Sequence, residues 1–130
     1  MIVHGPEESL RTHRPPWCQL PSGGYYRVAK EGAQHDRHFH HFNELYLIGR
    51  GQAKIWIAGV ESYVRPGDMV CIPAGDDHDI LEIYGGEDLE LFWIFEPGPE
   101  DGVLGHHHRG PEADAWHSVP SLPVPPDFPR

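Results

Sequence analysis

Three histidines and one glutamate carry the spacing of a metal-ligand set. His38 and His40 lie two residues apart, so in a strand both project from one face. Glu44 shares their parity, and a tight turn through His41, Phe42 and Asn43 returns it beside them from the next strand. Farther along, Pro73-Ala74-Gly75 ends a strand in a turn, and His78 opens a return strand that supplies a third imidazole. Three neutral imidazoles and one carboxylate leave a divalent ion with a net charge of about +1 and open positions. Such an ion polarises an anionic oxygen ligand as a Lewis acid, or holds O2 beside a substrate if it is redox-active. Fe, Mn, Ni, Cu, Co and Zn all suit these ligands, so the expected cofactor is one divalent transition metal of open identity. Ligand imidazoles must be neutral, so occupancy is expected to fall as pH drops through about 6.

Neighbouring residues are candidates for the chemistry. Tyr46 follows Glu44 by two and shares its inward face, with Ile48 one step deeper. A phenol beside a metal can lose pKa and act as a base, donate a hydrogen bond to substrate, or simply fill the interior. Glu82, four residues after His78, is the second catalytic candidate. Trp93 and Phe95, on one face of residues 89–96, are expected to wall the substrate pocket with Ile48. Asp76, Asp77 and Asp79 read as a solvated turn, one of them available to fix the tautomer of a ligand imidazole. His35 reads as a rim residue, His41 as external, His106-His107-His108 as a mobile polar loop, and Cys71 as a buried core thiol.

The elements that must position these groups are short strands. Apolar runs alternate with turn signals and predict strands near 25–30, 36–41, 44–49, 52–58, 61–65, 68–73, 78–84 and 89–96. Pro66-Gly67 suits a type II turn, Pro presetting φ and Gly supplying φ > 0. Helical periodicity never exceeds a turn or two, so the fold class is all-β. Residues 1–24 read as an irregular lead-in and 97–130 as a Pro/His-rich tail. Eight of the 14 prolines fall in that tail, which therefore lies along a surface and does not enter a central strand. Either the tail is frayed, or Trp116 and Phe128 pin it to the barrel or to a partner subunit.

Taken together, the spacings resemble those of the cupin superfamily. Gly32, His38, His40, Glu44 and Gly51 match its first motif at every spaced position, and Gly67, Pro73, Gly75 and His78 match its second. Glu82 stands where the second motif usually has Asn. The 15 residues between Gly51 and Gly67 give the short inter-motif length of small single-domain cupins. The resemblance implies a double-stranded β-helix (jelly-roll) barrel over residues 25–96, with His38, His40, Glu44 and His78 around the metal. It also implies an enzyme of dioxygenase, isomerase, or lyase or cyclase type, working by chelation of a small oxygen-bearing metabolite. A non-catalytic metal- or sugar-binding barrel is the alternative, since a fold hosts many functions.

Bulk properties narrow the partners. The chain has 130 residues, the size of one domain, and a formal net charge of −10. That charge argues against nucleic acid and anionic membrane surfaces, which need clustered Lys and Arg. The longest apolar stretch, Leu91 to Phe95, is a strand's worth, and residues 1–10 lack the pattern of a signal peptide. Two cysteines, Cys18 and Cys71, do not make a disulfide framework, and a cytoplasmic location is expected. Strands 44–49 and 89–96 are apolar on both faces, Leu45, Leu47, Phe92 and Ile94 pointing outward, which predicts a homodimer.

Overall fold

The computed structural model describes residues 1–3, 5–96, 106–110 and 116–129. Among them the regular structure is strand throughout: β1 (Ser22–Val28), β2 (Gln34–Asp36), β3 (His38–Phe39), β4 (Glu44–Arg50), β5 (Gln52–Ile57), β6 (Val60–Val64), β7 (Met69–Ile72), β8 (His78–Tyr84) and β9 (Leu89–Phe95), followed by the tail strands β10 (His107–His108), β11 (Trp116–Ser118) and β12 (Ser121–Leu122). One sheet runs β1-β9-β4-β7 and the other β10-β3-β8-β5-β6, with β12 beside β8 and a separate β11-β2 pair. This is a jelly roll, two sheets sharing one core.

Period-two alternation builds that core. β4 buries Glu44, Tyr46 and Ile48 and turns Leu45 and Leu47 outward. Val28, Ile48, Ile72, Leu89 and Leu91 from the first sheet meet Ile55, Val64, Ile80 and Ile83 from the second in one cluster. Each such aliphatic chain removed from water stabilises the fold by roughly 1.5–3 kcal/mol. The turn at Pro66-Gly67 forms as the sequence predicts: Gly67 has φ +96° and Asp68 N–H donates to Arg65 O at 3.1 Å. Gly51 is required twice over, because its φ is +81° and a Cβ there would lie 2.3 Å from Asp88 O.

Two local expectations are corrected. The expected strand over 36–41 is two short strands, β2 and β3, parted at Arg37, whose guanidinium stacks 3.9 Å above the Trp56 ring. Cys71 is exposed, because alternation in β7 turns Val70 and Ile72 inward and leaves Met69 and Cys71 outside. β8 carries a bulge: Lys54 pairs Glu82 while Ile55 pairs Ile80, leaving Leu81 as the extra residue. The described tail is ordered against the barrel, with β10 on β3, β11 on β2 and β12 parallel to β8. Its prolines confine it to short edge pairings, and Val119 and Phe128 are buried whereas Trp116 is exposed.

Candidate metal centre

β3 and β8 set His38 directly opposite His78, their ring centroids 4.2 Å apart. His40 follows β3, stacked on Phe42 at 4.2 Å, and its ring lies 5.0 Å from that of His78. Glu44 opens β4 beside them, and all four side chains are buried. The three imidazoles offer nitrogen atoms that lie within 4.8 Å of one another. Each ring is oriented by a backbone carbonyl two residues away. Nδ1–H of His38 donates to Asp36 O at 3.2 Å, that of His40 to Phe42 O at 2.8 Å, and that of His78 to Asp76 O at 3.0 Å. These bonds leave the Nε2 lone pairs free for a ligand.

Those nitrogens have an electrostatic need. His40 Nε2 and Glu44 Oε2 stand 2.8 Å apart, and with Nδ1–H already donated the contact requires a proton or a cation between two lone pairs. His78 Nε2, 3.3 Å from the same carboxylate oxygen, is buried without a hydrogen-bond partner. A divalent cation satisfies both atoms, so the residues present fit the metal that three imidazoles and a carboxylate would hold. Burial, and then repulsion from the neighbouring His78 imidazole on protonation, pushes His38 down to about 3, so it is neutral at ordinary pH. Glu44 lies below its ordinary value: burial raises it, and the imidazoles of His40 and His78 beside its carboxylate outweigh that effect.

The cluster borders a cavity of about 320 Å3 whose walls include Tyr26, Tyr46, Leu91, Trp93, Phe95 and Trp116. Trp93 and Phe95, expected from the sequence as pocket walls, both line this cavity. Ile48 does not: it is a core residue, beyond the described lining of the cavity. Tyr46 lines the cavity, but burial, followed by the charge of Glu44, holds its phenol well above 10, which favours a hydrogen-bond donor over a base. Glu82 is outside the site. The Leu81 bulge reverses the parity of β8, so Ile80 and Ile83 point inward, and Glu82 instead meets Lys54 Nζ at 3.3 Å and Tyr84 Oη at 2.5 Å.

Two groups near the site escape a reading by motif. Asp79 is buried, not solvated, and accepts from His35 Nδ1 at 2.8 Å and His117 Nε2 at 3.0 Å instead of orienting a ligand. The His106 ring lies 5.5 Å from that of His38 and 5.3 Å from that of His40, and His108 Nδ1 is 2.9 Å from the Asp36 carboxylate. The histidine run is therefore part of the pocket mouth; its composition was the one available signal. His41 is exposed, as expected.

The profile of the Cupin domain family matches residues 24–95. No curated protein matches the chain. Among solved structures, a cupin 2 conserved barrel domain protein from Salinispora arenicola is 22% identical, with a TM-score of 0.57, over 70% of this chain and 74% of that one. The DMSP lyase DddQ from Ruegeria pomeroyi is 20% identical, with a TM-score of 0.59, over 72% of this chain and 47% of that one. Salicylate 1,2-dioxygenase from Pseudoaminobacter salicylatoxidans is 12% identical, with a TM-score of 0.58, over 70% of this chain and 24% of that one. At these identities the likeness carries the fold alone.

Proposed function

The chain belongs to the cupin domain family, and we propose on that premise that it is a metal-dependent enzyme acting on a small oxygen-bearing metabolite. The observation that supports this most is the unpartnered, buried Nε2 of His78 beside the His40–Glu44 contact, at the wall of a substrate-sized cavity. His38, His40, Glu44 and His78 would hold the ion. When bound, the metal supplies a Lewis-acidic position for substrate oxygens.

The chain's own residues do the rest. Trp93, Phe95 and Leu91 hold an apolar body and exclude water. Tyr46 keeps its proton and donates it as a hydrogen bond to a substrate oxygen in the cavity. The reading allows dioxygenase, isomerase, and lyase or cyclase chemistry, and a lyase and a dioxygenase are among the proteins of like fold. The same reading makes the protein a homodimer through the outer face of the β1-β9-β4-β7 sheet.

Elemental analysis of protein purified without chelators tests the centre. The expected result is about one divalent transition metal per chain, lost in the His38→Ala, His40→Ala double variant. Product formation by the metal-loaded protein from a panel of small carboxylates and diols, under air and under argon, then tests the enzyme. Binding without turnover across the panel favours a non-catalytic barrel instead.

A further inference from the structure

We infer that the cavity selects a small monocarboxylate with an apolar body, whose anionic group is held by Arg11. This rests on the reading of the cavity as the substrate pocket. Arg11 lies outside the residues matched to the family and lines the cavity together with the aromatic walls. It is the sole Lys or Arg among the described lining residues. The two carboxylates of that lining are engaged, Asp36 with His108 and Glu44 with His40 and His78. Arg11 has no hydrogen bond, ion pair or ring contact among the described residues.

The segment that carries Arg11 is fixed. Thr12 N–H and His13 N–H both donate to Ser9 O, at 3.1 and 2.8 Å, closing a turn around it. Leu10 N–H donates to Gly23 O at 2.9 Å, pinning that turn to β1. Gly24 permits the approach, since a Cβ there would lie 2.9 Å from Ser9 Cβ and 2.6 Å from the Trp93 indole. A guanidinium carried to the edge of an aromatic cavity, with no protein anion on it among the described residues, is completed by a ligand carboxylate in bidentate contact. One such cation, in a chain of net charge −10, matches one negative charge; a phosphate dianion would call for a second. The apolar walls then take the body of the ligand, leaving its end remote from the carboxylate toward the histidines.

The test uses the full chain, loaded with metal, titrated with phenylacetate and with its neutral isostere phenylacetamide by calorimetry. The acid is expected to bind about tenfold or more tighter than the amide, the scale of a charge-assisted hydrogen bond. Arg11→Gln should bring the two to within about twofold, and Arg11→Lys should retain part of the preference because it keeps the charge. Equal affinities in the wild type, or a preference undiminished in Arg11→Gln, overturn the proposal, the latter placing the anion at the histidines. The His38→Ala, His40→Ala variant separates the two readings. An acid preference that persists there and depends on Arg11 upholds this subsite even if elemental analysis finds no metal.

Discussion

His38 is flanked in register by two other histidines, His78 across from it on β8 and His108 on β10 at its other side. Three strands distant in sequence therefore present one row of imidazoles. His108 is held by the Asp36 carboxylate, and Arg109, next along, pairs with Asp77 at 3.0 Å. The described tail is thus a wall of the pocket, tied to the strands that carry the candidate ligands.

Burial of this row gives the metal-free protein a defined response to acid. His38 is pushed down to about 3, whereas in the unfolded chain it titrates near its ordinary 6.5. Between those values the unfolded state binds a proton that the folded state refuses, so stability falls as pH drops, by up to about 1.4 kcal/mol per pH unit. Glu44, with its lowered pKa, adds stability that is present above its ordinary value and lost as pH falls through the lower, folded one, in the same direction. Urea midpoints of chelator-treated protein should therefore decline from pH 7 to pH 4.5, and less steeply in His38→Gln. A flat or rising profile would contradict the buried, neutral His38.

Asp79 joins β2, β8 and the tail by accepting from His35 and His117. Asn in its place can keep Oδ1 as the acceptor for both rings but sets its amide N–H against the N–H of His117 Nε2, which stands 3.1 Å from Oδ2. Leaving a buried donor unmatched costs about 1–3 kcal/mol, so Asp79→Asn should lower the thermal midpoint by several degrees. Limited proteolysis should then cut the tail near residues 116–118 sooner than in the wild type. Unchanged midpoint and cleavage would show that the bridge holds nothing.

The barrel and the ligand cluster were legible because both rest on local periodicity. Inward and outward positions in β4 and β7 follow alternation, and the fixed spacings from Gly32 to Gly51 and from Gly67 to His78 put the imidazoles together. Cys71 follows the same rule and is misread only if an apolar neighbourhood is taken as burial. Glu82 was not legible, because one inserted residue, Leu81, reverses the face of everything after it and leaves no mark in composition. Arg11, His106 and His108 reach the cavity through backbone pairing of the chain's ends, which side-chain patterning does not encode.

Glu82 distinguishes motif position from structural position. Its carboxylate serves a cross-strand pair with Lys54 and a hydrogen bond from Tyr84, on the face away from the cavity. Glu82→Gln should therefore leave metal content and turnover unchanged, and cost about 1 kcal/mol or less for a half-exposed pair. Loss of metal in this variant would return Glu82 to the site.

The outer face of the first sheet carries the dimer in this reading. Tyr25, Phe92, Leu47 and Met69 stand side by side across β1, β9, β4 and β7, and Gly23, Ile94, Leu45 and Cys71 form the next row. Phe92 is 52% exposed and Met69 68%, while Tyr25 packs edge-on to Phe92 at 5.8 Å. An apolar row spanning a whole sheet, with no helix over it among the described residues, is stabilised by a second copy. Phe92→Glu puts a charge at its centre. The wild type should elute as a dimer and this variant as a monomer. A wild-type monomer in size-exclusion chromatography removes the dimer and leaves the proposed metal centre untouched, since His38, His40, Glu44 and His78 all come from one chain.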